Sequence, residues 1–541
     1  METLISRRLS RCLESRRLLS PYQFGFRAGK EIMEACGRLT DDVVQAFCQR
    51  QQVQAVALDI QAAYDTVWQA GLLEKMTRLG IDRQLIEWTR GFLFDWVSVL
   101  EVVSASLEVH PSCGVPQGSP ASPILFLIYI NDLLQKLGTV QKISRQAFAD
   151  DLFLWIVGMF RAGVAHSQLV RVVAMVEDWS AQWLVHFSVK KCECILFREK
   201  NIRVERDFEV RLYGECLPHT SEIHYLGVWF DAHLTWHRQM LEAMSWARAR
   251  LWLLRRLGGR DWGLYPYLFM RLVRGAVLPM LYFGAQCWAS VLCSSTRLAA
   301  IDAVSALATR MAFRLECTTS VEASLVVAGL EPARHLIMRQ LVRYLVRRHR
   351  ADLGDFSGTF SSSGRVTPFE LGATWFYRSV QGTTLSDPSL HLRRSIVYQG
   401  IDRALRAEWS RRWTASETGS ALREVLPMVG KAWRPMDTGE RNRLDLLETA
   451  RFITGHCHVG DFALPWHTEE WVMCPWCGDD FTREHLLWEC RGLSQERRVF
   501  LCGIESREFE SLKQCVLFYG SRIGRFLRAA GGLLASVGAV R

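Results

Sequence analysis

The sequence predicts an α+β fold in the first 235 residues, followed by a mainly helical region and a small metal-binding module. Three observations carry this prediction. Apolar runs typical of buried strands alternate with amphipathic helical segments up to about residue 230. From about 236 to 350 the pattern turns helical and is rich in Leu, Arg and Trp. Near the C-terminus, Cys and His recur at close spacing between 474 and 490.

The first clear element is VQAVALDI, residues 53–60, which reads as a buried strand with Asp59 near its end. Asp65 is the expected N-cap of the amphipathic helix that follows. The turn-rich segment GVPQGSPASP begins at 114 and leads into a second helix, with Ser122 as its expected N-cap and Gly138 just past its end. This second helix is apolar nearly all round, so we expect it to be buried.

QAFADDLFLW, residues 146–155, sets two adjacent carboxylates, Asp150 and Asp151, inside an apolar run. The pattern predicts a β-hairpin with both aspartates at its tip. A surface turn explains such a pair simply, because Asp is a common turn residue. A functional explanation is also needed, because an ionised carboxylate in apolar surroundings carries a large desolvation cost unless a cation meets it.

A metal ion would supply that cation. Asp59 lies near the end of another predicted strand in the same domain, so it and one of the paired aspartates could share a divalent ion. Mg²⁺ takes one or two carboxylates and shares its remaining ligands with water and substrate phosphates, and Mn²⁺ can substitute. Two such ions, about 3.5–4 Å apart, would hold the attacking and leaving oxygens of a phosphoryl transfer.

A second metal site is predicted in WVMCPWCGDDFTREHLLWEC, where Cys474, Cys477, His485 and Cys490 have the ligand types and the CxxC start of a structural Zn²⁺ site. Trp476 and Trp488 within it could stack on nucleic-acid bases or pack around the zinc. Other Cys and His residues lie nearby but lack the turn-like CPWCG sequence; they are His456, Cys457, His458 and His467.

The chain is 541 residues long and basic, with 66 Lys and Arg against 56 Asp and Glu and a formal charge of +10. A basic surplus points to polyanionic partners, although solvated helix faces explain each Arg run alone. Sixteen scattered cysteines fit reduced thiols, and the N-terminus lacks a secretory signal, so we expect an intracellular protein. The uncharged stretch 275–293 contains Pro279 and Gly284, and we interpret it as a buried core segment rather than a membrane span.

Five motifs, in order, resemble the reverse transcriptase of non-LTR (LINE-type) retrotransposons: LDIQAAYD, GVPQGSPASPILFLIYINDL, FADD, KKCECILF and HYLGVWFDAHLTW. The match runs from residue 1 to about 340. It implies a right-hand polymerase with fingers, palm and thumb, acting on an RNA template, a DNA primer or target DNA, and dNTPs. A protein of such an element would work in the nucleus and the cytoplasm.

The resemblance assigns roles to individual residues. Asp59 and Asp150 are the expected principal metal ligands, with Asp151 as the third carboxylate. Lys191 matches the lysine near the pyrophosphate, although Lys190 is adjacent and the assignment could slip by one.

Further roles concern the nucleotide and the template. Tyr64 resembles the aromatic gate under the incoming sugar, its alternative being a packed core residue. Gln117 and Gly118 resemble the segment behind the nucleotide and the templating base. Arg27, in QFGFR, resembles a fingers residue that meets a phosphate, its alternative being an ordinary surface arginine.

The resemblance also implies a domain order. We expect partial fingers and palm at 1–235, thumb at 236–350, a linker at 351–372, a helical region at 373–470, the zinc knuckle at 471–493 and a tail at 494–541. From this pattern we expect the first part of the fingers and an upstream endonuclease to be missing. A catalytically idle remnant that binds nucleic acid is therefore an alternative, as are a maturase-like RNA-binding role and a DNA-templated polymerase.

Overall fold

The computed structural model describes residues 1–94, 97–102, 105–109, 111–158, 164–200, 208–259, 262–348, 368–376, 378–379, 394–433, 442–455, 473–502 and 512–536. The chain divides into two compact units. The first comprises Met1–Gln239 and the second begins at Met240. Helices and strands mix in the first unit, while helices dominate the second, which confirms the predicted α+β class.

The first unit is built from helices and short strands. The helices are α1 (Glu2–Ser15), α2 (Ile32–Cys48), α3 (Gln69–Arg78), α4 (Arg83–Phe94), α5 (Ser122–Leu137) and α6 (Val164–Gln182). The strands are β1 (Gln52–Leu58), β2 (Ser98–Val102), β3 (Ala105–Val109), β4 (Ile143–Phe148), β5 (Asp151–Gly158), β6 (Glu193–Phe197), β7 (Arg211–Leu212), β8 (Glu215–Cys216), β9 (His219–Thr220), β10 (Glu222–Tyr225) and β11 (Val228–Asp231).

A five-stranded sheet in the order β4-β5-β1-β6-β9 forms the centre of this unit. The β1 strand runs antiparallel to both β5 and β6, and its register pairs Leu58 with Leu152. Most of β1 is buried, as expected for a strand covered on both faces. The predicted hairpin is present, because β4 and β5 pair through Phe148 and Asp151 and leave a two-residue turn between them.

The prediction that α5 is buried is confirmed, since most of its side chains lie in the core of the first unit. Its start differs by one residue from the prediction: Ala121 is the N-cap and Ser122 is the first helical residue. The prediction that Asp65 is the N-cap of α3 is wrong. Residues 61–66 form turns, and α3 begins only at Gln69, because Trp68 holds the cap position.

The second unit is helical in its described parts. Its helices are α7 (His237–Arg255, which starts in the first unit), α8 (Pro266–Leu272), α9 (Leu278–Leu281), α10 (Ser295–Phe313), α11 (Val321–Val327), α12 (Ala333–Arg348), α13 (Pro368–Phe376), α14 (Arg394–Thr414), α15 (Ser420–Val425), α16 (Arg443–Ile453), α17 (Ser494–Phe500) and α18 (Leu512–Ser536). Helix α13 begins inside the 351–372 segment expected to be a linker, whose first part, 351–367, lies outside the described residues.

The uncharged stretch 275–293 folds as a π-helical turn, the short helix α9 and a 3₁₀ turn, rather than as one long helix. Its large side chains Leu281 and Trp288 are buried. Across the described ranges, no helix combines the length and the apolarity needed to cross a membrane.

Candidate active site

Three carboxylates lie at one end of the central sheet. Asp59 directly follows β1, Asp150 lies in the turn between β4 and β5, and Asp151 opens β5. Because Leu58 pairs with Leu152, the residues next to this pair lie at the same end of the sheet. The antiparallel register thus brings together side chains that are about 90 positions apart in the sequence.

The local electrostatics record this proximity. Burial, together with the charges of Asp150 and Asp59, raises the pKa of Asp151 to about 6. Burial also raises the pKa of Asp150, and the negative charge of Asp59 adds to this rise. Lys191 opposes both shifts. The site therefore gathers more negative charge than its protein surroundings neutralise.

Lys191 is the cation beside Asp59. Its Nζ lies 3.3 Å from Asp59 Oδ2, and its side chain is 70% exposed. That carboxylate oxygen is buried and makes no hydrogen bond. The position of the lysine follows from the turn before β6, where Ser188 N–H donates to the carbonyl of Asp59 at 2.9 Å and Cys192 Sγ accepts from Asp59 N–H at 3.4 Å.

The donor set fits a hard divalent cation. Three carboxylates supply oxygen ligands, which suit Mg²⁺ or Mn²⁺, and the buried Asp59 Oδ2 forms an ion pair with Lys191 but no hydrogen bond, so it retains lone pairs for coordination. In the described part of the chain these oxygens are not drawn together as tightly as the Cys and His cluster described below.

Tyr64 lies beside this end of the sheet. Its half-buried ring stacks on Phe126 with centroids 5.4 Å apart. Burial raises the pKa of its phenol to about 12, and the negative charge of Asp150 contributes to the shift. The structure thus places Tyr64 close to the carboxylates with part of its ring accessible.

The GVPQG loop lies against the turn that carries Tyr64. Val115 N–H donates to the carbonyl of Tyr64 at 2.8 Å, and Gln117 Nε2 donates to Asp65 Oδ1 at 2.8 Å. Gly118 has φ +91° and faces open space. Tyr64, Gln117 and Gly118 therefore belong to one continuous surface next to the carboxylates.

Arg27 occupies a different environment from the one predicted. Its guanidinium is bidentate to Glu14, with Nε and Nη2 each 2.7 Å from a carboxylate oxygen. Nη1 donates to the carbonyls of Ser20 at 2.6 Å and Gln23 at 3.2 Å. This arginine, whose side chain is only 9% exposed, cross-links the N-terminal segment, and the geometry favours a structural role over a phosphate contact.

Two residues of this region were not predicted from the sequence. Gly114 has φ +88°, and a Cβ there would lie 2.9 Å from the carbonyl oxygen of Asp65. Gln23 is buried and bonds to the turn that carries Asp150. The positive φ of Gly114 is hinted at by the turn-rich sequence, but the partner of Gln23 lies 126 residues away and leaves no local signal.

The four predicted zinc ligands come together. Cys474 Sγ lies 3.5 Å from Cys490 Sγ, Cys477 Sγ lies 3.1 Å from His485 Nε2, and all four ligand atoms lie within 4.8 Å of one another. Three sulfurs and one imidazole nitrogen at this spacing are compatible with tetrahedral Zn²⁺. The nearby residues 456–472, which include the alternative ligands His456, Cys457, His458 and His467, lie outside the described residues.

The cluster is tied to the helices around it. Arg483 donates to Glu424 of α15 at 2.7 Å, and Arg497 of α17 donates to the carbonyls of Leu487 at 2.7 Å and Cys490 at 2.8 Å. The Trp476 side chain packs so closely against Gly492 that a Cβ on Gly492 would lie 2.3 Å from Trp476 Cβ and 2.4 Å from its ring atom Cγ. Packing around the cluster, one of the two roles considered for this tryptophan, is thus what the structure displays.

Parts of the chain are similar in sequence to known proteins. Residues 1–230 match the family described as reverse transcriptase (RNA-dependent DNA polymerase). The chain is 26% identical over 480 residues to a 115 kDa protein of the type-1 retrotransposable element R1DM of Drosophila melanogaster, covering 87% of this chain and 42% of that protein. It is 25% identical over 295 residues to the RNA-directed DNA polymerase from mobile element jockey of the same species, covering 53% of this chain and 31% of that protein.

A third relative matches nearly the whole chain. It is the Pol polyprotein from type-1 retrotransposable element R1 of Bradysia coprophila, 23% identical over 527 residues, which cover 94% of this chain and 48% of that protein. Among solved structures, telomerase from Candida tropicalis aligns with 66% of this chain and 60% of its own, at 9% identity and a TM-score of 0.34.

The chain spans less than half the length of these three curated relatives. The matched region, 1–230, is the unit that contains the central sheet and its three carboxylates. Residues 1–230 therefore match a reverse transcriptase domain, and the chain is similar in sequence to polymerase proteins of retrotransposable elements.

Proposed function

We propose that this protein is an RNA-directed DNA polymerase of a non-LTR retrotransposon, which adds dNTPs to a primer 3′-hydroxyl on an RNA template. The observation that carries the proposal is the group of Asp59, Asp150 and Asp151 at one end of the central sheet, within the segment that matches reverse transcriptases. The hydroxyl oxygen attacks the α-phosphorus of the dNTP, and pyrophosphate leaves.

Each carboxylate has a role in this proposal. Asp59, Asp150 and Asp151 hold divalent cations, Mg²⁺ by default and Mn²⁺ as a substitute. Bound there, the ions would activate the primer hydroxyl and offset the charge that develops on the phosphate. The raised pKa of Asp151, about 6, supports a cation-binding role, because a cation restores the ionised form that burial disfavours.

The neighbouring side chains would position the nucleotide. Lys191 is exposed and close to Asp59, so its ammonium can meet the departing pyrophosphate. The accessible part of the Tyr64 ring would lie under the sugar and disfavour a 2′-hydroxyl. Gln117 and Gly118 would lie behind the base, where the absence of a side chain at Gly118 permits close approach.

The second unit offers a surface for nucleic acid, and we propose that its first helices act as the thumb. On α7, Trp246 and Trp252 are 57% and 52% exposed, and the exposed arginines Arg248, Arg250 and Arg255 lie between or beside them. Alternating aromatic and cationic side chains suit a phosphate backbone with stacked bases. Affinity for a template–primer duplex should fall steeply with salt, because arginine contacts release counterions.

The zinc cluster is proposed as a structural Zn²⁺ site that supports a nucleic-acid-binding tail, as zinc knuckles do. Its bonds to α15 and α17 support the structural part of that role.

Primer extension tests the proposal. Purified protein is incubated with an RNA template, a DNA primer, dNTPs and Mg²⁺, beside the Asp150→Ala, Asp151→Ala double variant. Asp178→Ala, which removes an exposed carboxylate on α6, is the matched control. We expect extension by the wild type and by Asp178→Ala, and none by the double variant. Equal template–primer binding by all three, with extension by none, would establish an idle nucleic-acid-binding protein instead.

A further inference from the structure

The segment around Gln23 runs beside the strand that leads into the catalytic turn. Phe24 N–H donates to the carbonyl of Ala147 at 2.8 Å, and Ala147 N–H donates to the carbonyl of Tyr22 at 2.9 Å. These two bonds form a short parallel bridge on the outer side of β4. Gln23 therefore reaches the turn from a chain segment that contributes no carboxylate of its own.

The side chain of Gln23 is 1% exposed and bonds to both backbone groups of Ala149. Its Oε1 accepts from Ala149 N–H at 3.0 Å, and its Nε2 donates to the Ala149 carbonyl at 3.3 Å. The same Oε1 accepts from Gly25 N–H at 2.9 Å. Ala149 is the residue directly before Asp150, so the amide holds the two peptide units of Ala149, the second of which leads directly into Asp150.

Ala149 needs such a restraint. Its φ is +57°, in the left-handed region where a residue with a Cβ is strained. Two-residue hairpin turns require positive φ at this position and usually place glycine or asparagine there. The turn therefore persists because its surroundings hold it, and Gln23 supplies direct bonds to the strained residue.

Gln23 is itself firmly placed. Arg27 bonds to the carbonyls of Gln23 and Ser20, and Glu14 of α1 fixes the guanidinium of Arg27. Asn131 of α5 accepts from Ser20 N–H at 2.7 Å. A rigid support behind the amide makes it able to hold the turn rather than follow it.

Close packing adds to the hydrogen bonds. A Cβ on Gly25 would lie 2.4 Å from the backbone nitrogen of Ala149, so this segment touches the turn with no side chain between them. The contact limits movement of Ala149 toward the segment, while the two amide bonds limit movement away from it.

We infer that Gln23 is a positioning residue for catalysis: its buried amide holds the Ala149–Asp150 turn, and with it the two hairpin carboxylates, in the geometry the reaction requires. This inference rests on the proposed polymerase function. Gln23 touches neither substrate nor metal ligand atoms and acts through the backbone.

The chain offers a matched comparison. Gln146, on β4, is equally buried, and its Nε2 donates to the carbonyl of Ala35 and to the hydroxyl of Tyr225. It lies on the same hairpin but bonds to neither residue of the turn. Methionine matches glutamine in length and removes the amide at both positions, so Gln23→Met and Gln146→Met differ chiefly in whether the turn loses its bonds.

The test measures three quantities on the full chain: the unfolding midpoint, the single-turnover rate of dNTP incorporation, and hydrogen exchange in the peptide that contains Ala149. We expect both variants to lower the unfolding midpoint. Gln23→Met alone should lower the incorporation rate about 10- to 100-fold, since small displacements of reacting groups cost rates of that order. It alone should speed exchange at Ala149, about fivefold or more, because the N–H loses its acceptor.

A second substitution provides rescue. Glycine adopts φ +57° without strain. Adding Ala149→Gly to Gln23→Met should therefore raise the incorporation rate of that variant about tenfold. Template–primer affinity should not change in any of these variants. A merely structural role for Gln23 would lower stability without this rescue of the rate.

The inference is overturned if Gln23→Met slows incorporation no more than Gln146→Met, or if Ala149→Gly leaves the loss unchanged. If the wild type itself incorporates no nucleotide, the proposed function fails instead. Hydrogen exchange then decides the question of the turn by itself: unchanged exchange at Ala149 in Gln23→Met would overturn the inference, and faster exchange would support the restraint.

Discussion

At the scale of single residues, burial and like charge determine the behaviour of the carboxylates. Asp151 loses hydration when the chain folds, and Asp150 and Asp59 add unfavourable charge, so its pKa rises from 3.8 to about 6. The folded state therefore binds more protons than the unfolded state between these two values. Stability contributed by this group is present at low pH and is lost as the pH rises through that window.

This sign leads to a prediction for Asp151→Asn in metal-free buffer. At neutral pH the variant should be more stable than the wild type by on the order of 1 kcal/mol, discounted from the pKa shift because the side chain is partly exposed. Near pH 4 the difference should vanish, because the wild-type carboxyl is then protonated in the folded state. Chemical denaturation at both pH values measures it.

Added Mg²⁺ should reverse the order, because the ion stabilises the folded wild type that binds it and leaves the variant with a weakened site. Asp178→Asn, on the exposed face of α6, serves as the control and should show neither effect. A wild type that is more stable than Asp151→Asn without metal at neutral pH would contradict the explanation.

At the scale of elements, the loop between β3 and α5 depends on two glycines for different reasons. Gly114 and Gly118 both have positive φ, +88° and +91°. A Cβ on Gly114 would also meet the backbone of Asp65 and Tyr64, whereas one on Gly118 would meet nothing within 4 Å. The first glycine is required by conformation and close packing together, and the second by conformation alone.

We therefore expect Gly118→Ala to cost about 1 kcal/mol of stability, from backbone strain only. Gly114→Ala should cost about 2–3 kcal/mol, because the loop must also move away from the turn that carries Tyr64. The free energies of unfolding of the two variants measure the difference. Equal costs would mean that the close contact between the loop and the turn carries no energy.

At the scale of the whole molecule, the zinc cluster links distant parts of the second unit. Arg483 connects it to Glu424 on α15, and Arg497 on α17 bonds to the backbone at Leu487 and Cys490. A metal held by the four ligands should fix the segment that carries Arg483 and the carbonyl of Cys490, and so contribute to the stability of the helices that these groups contact.

Cys477→Ser, or treatment with a strong chelator, should accordingly speed hydrogen exchange in α15 and α17 as well as in the cluster. Exchange in the central sheet of the first unit should stay as it was. Cys502→Ser removes an exposed cysteine from the same region and is the matched control. Changes confined to residues 473–490 would contradict a role beyond the cluster itself.

Much of this architecture follows from local sequence. The buried strand before Asp59, the apolar helix α5 and the hairpin of Asp150 and Asp151 all correspond to apolar periodicity and turn residues within about 15 positions. The zinc ligands were predictable for the same reason, since the spacing from Cys474 to Cys490 is short. The ordered motifs indicated the resemblance to reverse transcriptases, because each motif is a short, contiguous run of characteristic residues.

The tertiary structure alone decided which side chains meet. Arg27 carries the same charge in a fingers segment or in a structural ion pair, and only the fold sets it against Glu14. Asp65 has the chemistry of an N-cap, yet it accepts a hydrogen bond from Gln117 because the loop lies there. Gln23 meets Ala149 across 126 residues. The sequence by itself determined the helices, the strands and the types of ligand at the two candidate metal sites, because these depend on residues close together in the chain. The contacts that hold the catalytic turn depend on the packing of the folded chain, which no local pattern encodes.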